Sequence, residues 1–183
     1  QAGSDDGALI YDPTEVSLAS GAIEEKAHAI FGGKGNDVIT GSASAKNDYI
    51  VAGEGNDIVR GATGNDVLSG GAGNDTAEYD LEGRDVGAIV VHIDRTDGII
   101  EVEDGLGGRD KLVDFEHIIG TQKDDAIVLK SEDLNAYRDL EIDLGEQSTN
   151  EGDVLDLSYM AQNVKFDLNN ANSGVTRIDN NSI

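Results

Sequence analysis

Between Gly32 and Glu78 the inward-type apolar positions fall at Ile39, Ile50, Val59, Leu68 and Ala77, each two residues after an aspartate. Those aspartates are Asp37, Asp48, Asp57, Asp66 and Asp75, spaced 11, 9, 9 and 9 residues apart, and an asparagine precedes each. A fixed period with fixed chemistry marks one small structural unit repeated. Each unit reads as a six-residue glycine-rich loop, such as Gly32-Gly33-Lys34-Gly35-Asn36-Asp37, and a three-residue extended piece, Val38-Ile39-Thr40. Alternation sends the middle side chain of that piece to one face. So short a strand holds only when many copies stack and pair with one another. Ile39, Ile50, Val59 and Leu68 then form a thin apolar ladder inside.

Beyond Asp75 the rhythm loosens. Ile89, Val91 and Ile93 alternate as a longer strand, and Ile99, Glu101 and Glu103 as a mixed one after a turn at Thr96-Asp97-Gly98. Gly105 to Leu112 restates the loop, with Asp110 in the aspartate slot and Leu112 inward; Gly120 to Ile127 does so with Asp125. Phe115, Ile118 and Ile119 read as interior. Asp12-Pro13 is a helix-start signal that predicts a short helix over about 14–29. Ser131-Glu132-Asp133-Leu134 is another start signal, with Leu134, Tyr137 and Leu140 inward. Ile142 and Leu144 alternate like a strand, and Asp153-Val154-Leu155 echoes Asp75-Thr76-Ala77. The chain so divides into a linker with a lead-in helix or strand (1–31), regular repeats (32–85), a degenerate extension with a hairpin (86–129), and an irregular segment opening an incomplete second block (130–183). The unfinished pattern predicts a piece of a longer polypeptide.

Composition changes the picture at one point. Among 183 residues there are 37 Asp and Glu against 13 Lys and Arg, a formal net charge of -24. That argues against nucleic acid and anionic membrane surfaces as partners. No apolar run is long enough to insert in a membrane. Aromatics are 4% and Trp is absent, so a conventional packed core is hard to build. Acidic, glycine-rich chains of this kind are often disordered, and can fold if something neutralises the carboxylates. A divalent cation is the obvious candidate, and with no Cys its ligands cannot be thiolates. Calcium takes six to eight oxygens at about 2.3–2.6 Å. Two stacked loops offer two aspartates and about four carbonyls, enough to fill and neutralise such a site.

The run from Gly32 resembles the RTX nonapeptide repeat, Gly-Gly-x-Gly-x-Asp-x-U-x with U apolar. The resemblance implies an all-β fold, a right-handed parallel β-roll or β-solenoid with calcium in its turns, followed by irregular longer strands of a degenerate roll. Loops 32–37, 52–57 and 70–75 would share one side, and loops 41–48 and 61–66 the other. It implies metal contacts from Gly32, Gly33, Gly35, Asn36 and Asp37, from Asp48, and from Gly53, Gly55, Asn56 and Asp57. Gly61, Gly64, Asn65 and Asp66 follow, then Gly70, Gly71, Gly73, Asn74 and Asp75, with Asp110 and Asp125 in the degenerate part. The expected cofactor is Ca2+, about three or four ions in 32–85 by two loops per ion. The unit 41–51 departs from the pattern, with Ser42, Ser44 and Ala45 in glycine slots, which weakens its ion site but not its strand.

The family's properties imply a calcium-binding structural module of a secreted bacterial protein, exported by a type I system and folding on calcium outside. Alternatives of other classes are the accessory region of a secreted protease, lipase or peroxidase, or the spacer of a surface adhesin. The expected partners are calcium and other domains of the parent chain, with the fragment itself monomeric. No catalytic constellation is legible: there is no Gly-x-Ser-x-Gly elbow, phosphate loop or His-Glu-x-x-His. His28, His92 and His117 read as surface or capping residues, and Glu101, Glu103 and Asp104 as solvated faces. Cleavage at Asp12-Pro13, a bond that some calcium-triggered modules process, is a remote alternative to an ordinary helix start.

Overall fold

The computed structural model describes residues 9–11, 28–43, 46–81, 85–93, 98–130, 140–145, 152–158, 166–167 and 175–178. Every element among them is a strand. The repeats set the plan, because successive strands alternate between two sheets. β1 (Leu9–Tyr11) pairs antiparallel with β2 (His28–Lys34) at the end of the first sheet. β2, β4 (Asp48–Glu54), β6 (Val67–Ala72) and β10 (Arg109–Val113) continue it in parallel. β3 (Val38–Thr40), β5 (Ile58–Arg60), β7 (Thr76–Glu78), β11 (His117–Ile119) and β13 (Glu141–Asp143) stack in parallel in the second sheet.

A hairpin interrupts the first sheet. β9 (Ile100–Glu103) pairs antiparallel with β10 on one side and with β8 (Val90–Ile93) on the other. β12 (Ala126–Leu129) and β14 (Val154–Asp156) then resume parallel pairing beside β8. In the second sheet β16 (Val175–Ile178) and β15 (Phe166–Asp167) follow β13 antiparallel. The strand orders are β1-β2-β4-β6-β10-β9-β8-β12-β14 and β15-β16-β13-β11-β7-β5-β3. An all-β chain with two largely parallel sheets is consistent with a β-roll.

Register turns the nonapeptide period into a core. Ile30, Ile50, Leu68 and Leu112 align across the first sheet. Ile39, Val59, Ala77, Ile118 and Ile142 align across the second. All are buried and belong to one cluster with Val91, Val102, Ile127, Leu140 and Leu144. Each buried Ile, Leu or Val is worth about 1.5–3 kcal/mol. The core is narrow, with Tyr79 and Phe115 as its aromatic members.

The strands differ from the expected three-residue pieces in one respect. Those of the second sheet have that length, but β2, β4 and β6 run on through the first glycines of the following loop. Gly33, Gly53 and Gly71 are mutually paired there, because a residue without Cβ lets neighbouring backbones approach. On β9 it is Ile100 and Val102 that point inward, while Glu101 and Glu103 face Arg109 outside. Ile119 is only half-buried, since alternation turns it outward from Ile118. His28 and Ala29 lie in β2, so the expected helix does not reach 29. Its body, the Asp12-Pro13 bond and the helix start at 131–134 lie outside the described residues.

Candidate metal centre

The turns gather on two flanks of the sheets. On one, loops 32–37, 52–57 and 70–75 stack, as Gly33-Gly53 and Gly53-Gly71 pairing requires. On the other, Asp48 is bonded to Asp66 of loop 61–66, and Asp66 to Asp110. Both groupings match the sequence expectation. Glycine is obligatory at the close approaches: Gly73 has φ of 153°, and a Cβ there would lie 1.6 Å from the Gly55 carbonyl oxygen.

Each aspartate slot is tied to the loop beneath it. Asp57 Oδ1 accepts the Asp37 N–H at 2.7 Å, and Asp75 Oδ1 accepts that of Asp57 at 2.8 Å. On the other flank Asp66 Oδ1 accepts the Asp48 N–H at 2.7 Å, and Asp110 Oδ1 that of Asp66 at 2.9 Å. The asparagines run a ladder in the opposite sense: Asn36 Oδ1 accepts from Asn56 N, Asn56 from Asn74 N, Asn47 from Asn65 N, and Asn65 from Arg109 N. These asparagine oxygens therefore join loop to loop. His117 ends one ladder, its Nε2 3.0 Å from Asn74 Oδ1. His92 sits against Glu103 on the hairpin's outer face.

The second carboxylate oxygens carry the chemistry. Asp37, Asp57, Asp66, Asp75 and Asp104 each bury Oδ2 with no hydrogen-bond partner. A buried charged oxygen without a partner is expensive. Carbonyls crowd the same places. A Cβ at Gly32 would meet the Ala52 carbonyl oxygen at 2.2 Å and Asp37 Oδ2 at 2.6 Å; one at Gly41 would meet the Gly61 oxygen at 2.3 Å and Asp48 Oδ2 at 2.6 Å. A Cβ at Gly61 would lie 2.6 Å from Asp66 Oδ2 and 3.2 Å from Asp110 Oδ2. At Asp37 and Asp66, where Oδ2 has no donor, such crowding of acceptors suits a cation. Among the described residues no three acidic or His side chains form a side-chain cage. The oxygens come instead from paired carboxylates and backbone, the donor set a hard cation prefers.

Electrostatics agree. Burial, then the charges of Asp110, Asp48 and Asp104, push the Asp66 carboxyl up to about 8 against a partly offsetting backbone hydrogen bond. Burial and Asp104 likewise raise Asp110 to about 7. Asp37, Asp75 and Asp125 are raised mainly by burial. A bound divalent ion would reverse this by favouring the charged forms.

Not every slot is alike. Asp48 Oδ2 accepts the Ser42 N–H within its own loop, so the irregular unit already occupies that oxygen. Asp110 Oδ2 accepts the hydroxyl of fully buried Tyr79 at 3.1 Å. Asp125 Oδ1 caps Ile89 N, which brings no carboxylate, and Asp125 Oδ2 accepts from Thr121 N. Asp153 Oδ1 in turn accepts the Asp125 N–H at 2.9 Å.

Sequence reasoning missed three groups. Asp104 is not solvated: it is 1% exposed, with Oδ1 accepting from Leu106 N and Gly108 N in the hairpin turn. A turn aspartate folded back on its own loop loses contact with water, which composition cannot foretell. Tyr79 had no signal beyond being apolar. Glu116 did have one: it stands two residues before inward Ile118, as Asp75 stands before Ala77.

The family model of the RTX calcium-binding nonapeptide repeat (4 copies) matches residues 29–45 and 42–77. These repeats bind calcium and occur in secreted bacterial proteins. No curated protein and no solved structure gives a significant match to the chain.

Proposed function

We propose that this chain, with its RTX repeats at residues 29–77, is a calcium-binding structural module of a secreted bacterial protein. Its strands wind as a right-handed parallel β-roll, and each ion sits between stacked loops. Asp37 with Asp57 and Asp57 with Asp75 serve one flank, and Asp66 with Asp110 the other. Carbonyls such as those of Ala52 and Gly61 complete the shells. Asp48 with Asp66 is a weaker step because Ser42 already holds one Asp48 oxygen. That gives three or four ions over residues 32–85 and Asp110. The glycines contribute backbone, and the asparagines hold the loops in register.

One observation carries the reading: the row of buried aspartate oxygens without partners, with carbonyl oxygens crowding those of Asp37, Asp75 and Asp104. Such a fold is unfavourable until the ions arrive, so binding free energy becomes folding free energy. Extracellular calcium modules bind at about 10⁻⁴–10⁻³ M. The low-calcium cytosol therefore keeps the chain unfolded for type I export, and outside calcium closes it. The charge of -24 keeps the unfolded chain extended and soluble. Far-UV circular dichroism tests this: β signal rises cooperatively as calcium is titrated into chelated protein. An unchanged spectrum from chelator to 10 mM (about tenfold above that range) refutes it.

A further inference from the structure

The row of candidate sites on the first flank does not stop with the last nonapeptide. After β10 the chain turns through Asp114-Phe115-Glu116, a stretch without glycine that lies beyond the matched residues. Pairing of His117 with Thr76 sets Glu116 beside Asp75, in the slot an aspartate fills in the repeats. Glu116 Oε2 accepts the Asp75 N–H at 2.8 Å, as Asp75 Oδ1 accepts that of Asp57 at 2.8 Å.

The oxygens repeat as well. A Cβ at Gly70 would lie 2.2 Å from the Asp114 carbonyl oxygen and 2.8 Å from Asp75 Oδ2. The corresponding values at Gly32 are 2.2 Å to the Ala52 oxygen and 2.6 Å to Asp37 Oδ2. Asp114 reaches this geometry at φ of 55°, the left-handed turn that glycine makes elsewhere and aspartate tolerates. Asp75 is 0% exposed, and its Oδ2 has no partner.

We propose that Asp75, Glu116 and the Asp114 carbonyl form a further divalent-cation site, one step past the repeats. This rests on the reading of the repeats as calcium sites. Glutamate substitutes because its longer arm reaches the Asp75 amide from a turn that lacks the loop's curl. Phe115 is buried within that turn, tying ion binding to the core beneath β11. The site joins the regular turns to the strands beyond the hairpin, so calcium order spreads past residue 77.

Native mass spectrometry of the full chain in saturating calcium tests it by counting ions in wild type and Glu116→Gln. Gln keeps the arm's length and an oxygen for the Asp75 amide but not the charge. A Gln variant one ion short of wild type is the expected result. Equal counts overturn the site. Asp57→Asn separates the two claims: fewer ions there with a Glu116→Gln count equal to wild type sinks this site alone, and no loss in either variant sinks the reading of the repeats too.

Discussion

Asp66→Asn should change the stability of this chain with opposite sign in chelator and in calcium. Asn keeps the side-chain oxygen that accepts the Asp48 N–H, so the loop tie survives. What goes is the charge on a buried carboxylate facing Asp110. Without metal, burial and neighbouring acids lift this group from 3.8 to about 8. After discounting for solvent screening, removing that penalty should stabilise the metal-free fold by roughly 2–4 kcal/mol at pH 7.5. In calcium the same change removes a carboxylate from the steps with Asp48 and Asp110. An ion at 100-fold excess over its dissociation constant contributes about 2.7 kcal/mol, so loss of two approaches about 5 kcal/mol. The metal-free arm is read as the osmolyte concentration that half-folds the chain, since excluded osmolytes favour compact states. The calcium arm is read by urea unfolding. Asp80→Ala is the control, because Asp80 accepts from Gln122 Nε2 and occupies no loop slot. Equal shifts of the same sign in both arms, or an Asp80 variant as damaging as Asp66→Asn, would refute the reasoning.

Gly73→Ala combines a left-handed backbone with a Cβ 1.6 Å from the Gly55 oxygen. It should cost about 2–6 kcal/mol in urea unfolding, against about 1 for Gly98→Ala, which meets open space at φ of 80°. With Asp66 near 8 and Asp110 near 7, the metal-free fold holds more protons than the unfolded chain between about pH 4 and 8. Its stability therefore falls as pH rises through that window, while calcium affinity climbs; dichroism in chelator at pH 5 and 8 checks the first and titration the second. Tyr79→Phe removes the buried hydroxyl donor to Asp110 Oδ2. It should destabilise the metal-free fold by about 1.5–3 kcal/mol and the calcium form by less, because an ion can engage the freed oxygen.

Where sequence and structure coincide, spacing is the reason. An acid two residues before an inward apolar residue recurs at Asp37-Ile39, Asp66-Leu68, Asp110-Leu112 and Asp125-Ile127, and strand pairing keeps that offset. A glycine loop preceding the acid made the flank of each regular loop legible. Legibility ended where a different backbone reached the same position. The turn of the β9–β10 hairpin folds Asp104 inward onto its own backbone. The Asp114 turn delivers Glu116 with no glycine at all. The first is a turn's own hydrogen bonding and the second a contact 41 residues away, and the nonapeptide period encodes neither.

The central claim is that these loops close around divalent ions. Anomalous scattering from crystals grown in calcium addresses it directly. The account predicts discrete peaks between loops 32–37 and 52–57, between 52–57 and 70–75, and between 61–66 and the turn at Asp110. Ordered loops with no peak beside the Asp37, Asp57 and Asp66 carboxylates would contradict it.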